Sequence, residues 1–180
     1  MPEEIQEIHE QAEHVQHDPS LAPVTLTMAI LAVLVAAAGL LGHRAHTEEI
    51  LLQNKATDQW AYFQAKNIRR HTYELFLDLL SISDAKDSER AQKMREKYSG
   101  EIKRYNEEQK DIEAEAKKLE DDTGRERRKA DRFDLGEVCL EASLVMASIT
   151  LLTKRRIFWG VGLAGGLLGV SVTLAGILVH

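Results

Sequence analysis

The chain has 180 residues, a formal net charge of −6 and a single cysteine, Cys139. Six acidic residues among residues 1–22 account for the charge, because the rest of the chain balances 23 acidic against 23 basic residues. This balance excludes a strongly basic nucleic-acid-binding protein, and one cysteine excludes an intrachain disulfide or a CxxC metal motif.

Residues 1–22 form an acidic N-terminal tail. Apolar residues from Ile5 to Val15 recur at three- and four-residue spacing, which is typical of a short amphipathic helix. The absence of a basic region argues against a cleavable signal peptide. A solvated helix is the simpler interpretation; the alternative is a metal site, since three side chains would share one helix face: His9, Glu13 and His17.

Residues 23–43 predict the first transmembrane helix. The run after Pro23 carries no charge as far as Gly42, and about 20 apolar residues are needed to cross the hydrocarbon core of a bilayer. Proline suits the first turn of a helix, where its missing N–H has no partner to lose. His43 and Arg44 form the polar flank at which the helix leaves the membrane.

Residues 44–133 predict a soluble helical hairpin. The first arm continues the transmembrane helix, because neither glycine nor proline occurs between residues 44 and 82. A polar stretch from Ser81 to Ser88 supplies turn and capping residues, and the second arm covers about residues 88–122. A short loop between two long helices predicts an antiparallel pair.

Each arm of the hairpin carries apolar residues at alternating three- and four-residue steps, the pattern of a coiled-coil seam. The seam of the first arm consists of Ala61, Ala65, Ile68, Thr72, Leu75, Leu79 and Ile82. The seam of the second arm consists of Met94, Tyr98, Ile102, Tyr105, Gln109, Ile112, Ala116 and Leu119. The nearby aromatic residues Trp60, Tyr62 and Phe63 allow a nucleic-acid stacking platform, but the interleaved acidic residues favour a packed core or an interface between copies.

Thr123 and Gly124 predict a kink or a cap, and a basic cluster follows them immediately before the next apolar stretch. The cluster consists of Arg125, Arg127, Arg128, Lys129 and Arg132. Basic residues beside a transmembrane helix usually contact lipid headgroups. We therefore predict a headgroup contact here, with protein docking as the alternative.

Residues 134–153 and 156–179 predict the second and third transmembrane helices, separated by a basic turn. The third helix contains two overlapping GxxxG pairs, which permit close helix packing: Gly162 with Gly166, and Gly165 with Gly169. Residues 160–165 also match the GxGxxG dinucleotide motif, but no strand precedes them, so we reject a nucleotide site. Phe158 and Trp159 suit an interfacial aromatic anchor.

Glu137 and Glu141 lie within the second predicted transmembrane helix, one and two turns from its start. Three spans place this end on the same membrane face as His43, Arg44, His46 and His180. Ionisable side chains inside a span are costly and normally face protein or water. Three hypotheses follow: structural pairing of the glutamates with Arg44 or a histidine, a proton or cation path through an oligomer, or a Glu/His metal site.

Two short segments resemble a known family. Residues 58–68, with the sequence DQWAYFQAKNI, and the following Tyr73-Glu74-Leu75 are similar to the domain of unknown function 4337 family, whose members are uncharacterised bacterial membrane proteins. The layout of one transmembrane helix, a charged middle and a terminal transmembrane pair is also similar. The resemblance implies a bacterial membrane protein and implies no activity or site residue. The expected location is the inner membrane.

We therefore expect an all-α membrane protein with three transmembrane helices and a long antiparallel coiled-coil hairpin between the first and second. The larger number of basic residues near the spans on the hairpin side favours a cytoplasmic hairpin, whereas the three basic residues from Lys154 to Arg156 favour the opposite orientation. The expected function is a non-enzymatic, structural or scaffolding role without cofactor or metal, in a homo-oligomer formed through the hairpin and the glycine-rich helix. The alternative is an oligomeric ion-conducting or proton-coupled component that uses Glu137 and Glu141.

Overall fold

The computed structural model describes residues 21–83 and 88–178, which form three α-helices and no strand. Helix α1 spans Ala22–Ile82, α2 spans Glu89–Thr153 and α3 spans Arg156–Ile177. Each helix contains a stretch long and apolar enough to cross a membrane. The predicted all-α class with three such helices is therefore confirmed, whereas the predicted tail helix and its His9, Glu13 and His17 lie outside the described residues.

Helices α1 and α2 are long because nothing in the described sequence stops them. Helix α1 runs for 61 residues from its apolar stretch into its charged stretch, as the absence of glycine and proline predicted. Helix α2 runs for 65 residues and passes through Thr123 and Gly124, so the cap predicted there is wrong, whereas the alternative of a kink stays a prediction. A glycine inside a helix costs only about 1 kcal/mol, which the neighbouring turns outweigh.

The described residues divide into two compact units. The first, which we call the spanning unit, comprises residues 21–48 and 125–178. The second, which we call the charged unit, comprises residues 49–83 and 88–124.

The spanning unit buries one narrow stripe of each helix. The stripe of α1 contains Val24, Met28, Leu31 and Ala38, and the stripe of α2 contains Phe133, Gly136, Leu140, Ser143, Ala147 and Thr150. The stripe of α3 contains Gly162, Gly166, Gly169 and Gly176. All three stripes advance by threes and fours, the spacing with which helices pack at a shallow left-handed angle. The small residues among them let the backbones approach one another.

In the charged unit, α1 and α2 meet through contacts that pair the two sequences in reverse order. Gln59 Nε2 donates to Glu115 at 3.0 Å and Lys66 Nζ donates to Glu108 at 2.6 Å. Further along α1, the ring centroid of Tyr73 lies 4.9 Å from that of Tyr98. As the residue number rises along α1, the number of the residue that it contacts on α2 therefore falls.

The predicted seam of α2 is the face buried in the charged unit. Tyr105, Gln109, Ile112 and Ala116 are each at most 7% exposed, and the other four residues of that seam are half-buried. The packed face of α2 therefore follows from its apolar spacing alone.

The predicted seam of α1 does not face α2. Ile68, Leu75 and Leu79 are 64–66% exposed and Ile82 is 79% exposed. The opposite face of α1 covers α2 instead, with half-buried residues that combine rings and long charged side chains: Trp60, Phe63, Lys66, Arg70 and Tyr73. Lysine and arginine cover apolar surface with their methylene stems while the charged ends reach water, so α1 has two faces suited to packing.

Candidate functional site

The three helices of the spanning unit meet at the end where α1 leaves its apolar stretch. His46 Nε2 of α1 lies 2.9 Å from Asp134 Oδ2 of α2. Arg132 Nη1 of α2 donates to the carbonyl oxygen of Ala175 in α3 at 3.4 Å. These two contacts join all three helices at one end, which is the arrangement that three successive spans predict.

Glu137 lies one turn from Asp134, over a glycine of α1. A Cβ added at Gly39 would stand 2.5 Å from Glu137 Oε1, so the bare backbone at Gly39 makes room for the carboxylate. Glu137 is half-buried, whereas Glu141, one turn further on, is exposed on the surface of the single chain. The two glutamates share a face of α2 but differ in their surroundings.

Neither glutamate has a hydrogen bond or an ion pair within the described part of the chain. His43 and Arg44, the predicted partners, are exposed, and Arg44 forms no ion pair with either carboxylate. The histidine–carboxylate pair at this end is instead His46 with Asp134. Sequence reasoning missed this pair because three spans bring the helix ends together without setting the rotation of α1 against α2.

The face of α2 around Glu141 is otherwise apolar. Val138 and Val145, three residues before and four residues after it, are 60% and 57% exposed. A charged side chain deep in a bilayer costs about 2.5–3.5 kcal/mol on insertion scales. If this stretch of α2 spans a membrane, Glu141 requires water or another protein surface beside it, and the described residues give it no hydrogen-bond partner.

The glycines of α3 face the other helices of the same chain. A Cβ at Gly162 would stand 3.0 Å from the carbonyl oxygen of Ser143, and a Cβ at Gly169 would stand 3.0 Å from that of Gly136. Gly165 faces the hydroxyl of Ser143, and Gly166 faces Leu31 of α1. All four predicted packing glycines thus lie at intrachain helix contacts. Gly136, which the sequence analysis did not single out, completes the contact from α2.

The predicted headgroup cluster is largely accessible. Arg125, Arg127 and Arg128 are exposed, whereas Lys129 is half-buried and donates to Glu126 at 2.7 Å. Arg132 is exposed but contributes its guanidinium to the contact with α3. Most of the cluster can therefore reach anionic groups near the apolar stretch of α2.

The charged unit contains a cluster of cations, carboxylates and tyrosines. Lys66 Nζ, held by Glu108, also lies 4.9 Å from the ring centroid of Tyr105. The hydrogen bond to Glu108 raises the pKa of Lys66, and the same bond lowers the pKa of Glu108. Burial would raise the pKa of Tyr105, but hydrogen bonds with Arg69, Arg104 and Tyr73 outweigh it and lower that pKa.

This cluster connects the two helices and contains no nucleophile beside a general base. In the buried face, two side-chain nitrogens have no hydrogen-bond partner among the described residues: Arg70 Nε and Gln109 Nε2. Among the described residues, no group of three or more His, Cys, Asp and Glu side chains could hold a metal ion. The contacts of this cluster therefore pair α1 with α2.

An apolar groove of about 200 Å³ opens between α1 and α3 in the spanning unit. It is lined by Thr27, Ile30, Leu31, Leu34, Leu163, Gly166, Leu167 and Val170. Trp159 Nε1 donates to Thr27 Oγ1 at 3.2 Å, which ties the start of α3 to the start of α1.

These features define an all-helical protein whose three helices are long and apolar enough for a multi-pass membrane protein. The model of a family described as a domain of unknown function (DUF4337) matches residues 20–179, and the chain belongs to this family. The resemblance drawn from residues 58–68 and 73–75 is thereby confirmed. Searches among curated proteins and among solved structures found no match.

Proposed function

We propose that the chain is a non-enzymatic structural protein of the bacterial inner membrane that assembles as a homo-oligomer. The observation that carries this proposal is Glu141, a carboxylate on an outward apolar face of a membrane-spanning stretch. A second copy of the chain, or water enclosed between copies, would remove the cost of exposing this group to lipid.

The rest of the spanning unit supports a rigid protomer. The glycines of α3 pack against α2 and α1 of their own chain, so intrachain contacts already occupy one side of this helix. The contact between copies that we propose for α3 uses its outward side, where Leu168 and Leu174 are exposed. The basic cluster from Arg125 to Arg132 would bind anionic lipid headgroups beside the assembly.

We further propose that the charged unit is an antiparallel coiled-coil hairpin in the cytoplasm. The reverse order of the contacts between α1 and α2 supports the antiparallel direction, and the buried seam of α2 supports the coiled coil. The excess of Lys and Arg near the spans on this side supports the orientation.

The experiment that tests the proposal is native mass spectrometry of the full chain reconstituted in lipid nanodiscs. We expect one defined oligomer that persists on dilution. A chain that remains monomeric at every protein concentration would contradict the proposal.

The second candidate is an oligomeric ion-conducting or proton-coupled component. Glu137 and Glu141 favour it, because they share a helix face and lack intrachain partners in the described residues, at the end where three helices meet. An oligomer that places these carboxylates around a central axis would create a path for cations or protons. Flux measurements in proteoliposomes with wild-type and Glu141→Gln chains separate this candidate from the scaffold.

A further inference from the structure

The outward face of α1 in the charged unit carries an apolar stripe that its own chain leaves uncovered. We call Ala61, Ala65, Ile68, Thr72, Leu75, Leu79 and Ile82 the outer stripe; all seven residues are exposed. The four large side chains among them are 64–79% exposed. Contiguous apolar surface of this kind marks an interaction site on a protein.

The spacing of the outer stripe specifies a helix as the partner. Its steps alternate between four and three residues over three heptads, so the stripe stays in line with a neighbouring helix that supercoils around it. The polar Thr72 fits this role, because its hydroxyl donates to the carbonyl oxygen of Ile68 at 2.8 Å. Its methyl group therefore remains for the partner, and no unpaired polar atom would be buried.

Helix α2 covers the opposite face of α1 through Lys66, Arg70 and their neighbours. Within the charged unit, no described residue covers the outer stripe.

We infer that the outer stripe binds the same stripe of a second copy of the chain, with the two α1 helices parallel and in register. The inference rests on the proposed self-assembly and assigns its contact surface. Two copies in one membrane leave it at the same residue of α1, so their α1 helices run in the same direction. A register without offset places Ile68 opposite Ile68 of the second copy and Leu75 opposite Leu75 of the second copy.

The residues that flank the outer stripe do not repel one another in this register. In a parallel pair, the residue before each of Ala65 and Thr72 faces the residue five positions later in the second copy. The resulting pairs within α1 contain no like charges: Gln64 with Arg69, and His71 with Phe76.

Cysteine cross-linking in membranes tests the inference. In a full-length Cys139→Ser background, Leu75→Cys should form a disulfide-linked dimer on mild oxidation. Gly100→Cys is the matched control, because this exposed position of α2 has open space where a Cβ would stand. We expect dimer for most of the Leu75→Cys chains and no more than background for Gly100→Cys.

A mixture of chains carrying Ile68→Cys with chains carrying Leu75→Cys tests the register. The two positions are seven residues apart, about 10 Å along a helix, so cross-links between unlike chains should be rarer than cross-links between like chains. Preferred linkage of unlike chains would overturn the register, and linkage of Leu75→Cys to a different protein would overturn the homotypic contact.

Native mass spectrometry of the same preparations separates this inference from the proposed function. If the chain is oligomeric but Leu75→Cys cross-links no better than Gly100→Cys, the outer stripe is not the contact and self-assembly stands. If the chain is monomeric, both fail. Leu75→Lys provides a second measurement: it should weaken the oligomer at least about tenfold, or about 1.4 kcal/mol, with unchanged helix content by circular dichroism.

Discussion

Gly136 of α2 and Gly169 of α3 lie backbone to backbone, and the carbonyl oxygen of Gly136 stands 3.0 Å from where a Cβ of residue 169 would be. The backbone nitrogen of Leu140 lies 3.1 Å from the same point. Backbone atoms of a helix cannot rotate away as a side-chain terminus can. The separation of α2 and α3 therefore depends on the absence of a side chain at this contact.

Gly169→Ala should consequently destabilise the spanning unit. An added methyl group in a close-packed site costs about 1–3 kcal/mol, and here α2 and α3 must move apart. The measurement is thermal unfolding of the full chain in detergent. Gly160→Ala is the control, because a Cβ there meets nothing within 4 Å and alanine favours the helix. Equal effects of the two substitutions would contradict the packing argument.

Glu141→Leu should weaken the assembly if the carboxylate lies between copies. Leucine removes the hydrogen bonds that a charged group makes in such a contact, which contribute about 1.5–3 kcal/mol each. We expect dissociation in nanodiscs at higher protein concentration than for the wild type. Val145→Leu, one turn away on the same exposed face, should leave assembly unchanged. A Glu141→Leu chain that assembles normally but loses ion flux in liposomes would favour conduction over scaffolding.

The sequence predicts the packed faces of these helices unequally, for a physical reason. In α2 one apolar stripe exists in the charged unit, and it is the buried one. In α1 an apolar stripe and an aromatic, cationic stripe lie on opposite faces, and periodicity does not tell which neighbour covers which. The contacts in the structure, such as that of Lys66 with Glu108 and Tyr105, show that the cationic face meets α2.

The candidate site, like the packed faces of the helices, is only partly predictable from the sequence. Three spans bring Glu137 and the end of α1 to one membrane face, because successive spans alternate in direction. The pairing of His46 with Asp134, and the place of Glu137 over Gly39, depend on helix rotation and on offsets of a single turn. Hydropathy varies too slowly along the chain to determine the rotation of a helix or an offset of one turn.

The contact of Lys66 with Glu108 should make the charged unit sensitive to pH. The lowered pKa of Glu108 adds stability that is present above its ordinary value of 4.5 and is lost as the pH falls through the lowered value. The raised pKa of Lys66 adds stability that is present below 10.5 and is lost as the pH rises through the raised value. The contact therefore stabilises the fold fully between these two limits.

Glu108→Gln should accordingly lower the unfolding temperature at pH 7 and make progressively less difference as the pH falls through the lowered pKa of Glu108, where the wild-type carboxyl also becomes neutral. Circular dichroism melts across this range provide the measurement. Glu113→Gln is the control: Glu113 accepts from Lys117 at the same distance of 2.6 Å, but within α2. A pair on one helix surface contributes only about 0.3–0.5 kcal/mol. An equal loss in the two variants would show that the contact between helices has no special role.

Lys154, the first residue after α2, has a backbone conformation that favours glycine. Its φ is 56°, and its backbone N–H donates to the carbonyl oxygen of Thr150 at 2.8 Å. A left-handed residue after a helix is usually glycine, because a side chain costs about 1–2 kcal/mol in this conformation. Lys154→Gly should therefore stabilise the turn between α2 and α3, by up to about 1 kcal/mol after the added freedom of the unfolded chain is subtracted.

Arg155→Gly separates this backbone effect from the loss of a positive charge. Arg155 has an extended backbone with φ of −97°, which every residue type adopts without strain. Glycine there removes the same charge but only adds freedom to the unfolded chain, so it should destabilise by about 0.4–1 kcal/mol. Unfolding temperatures of the two variants in detergent should therefore move in opposite directions from the wild type. A shift of both in the same direction would assign the effect to charge in the turn rather than to the conformation of Lys154.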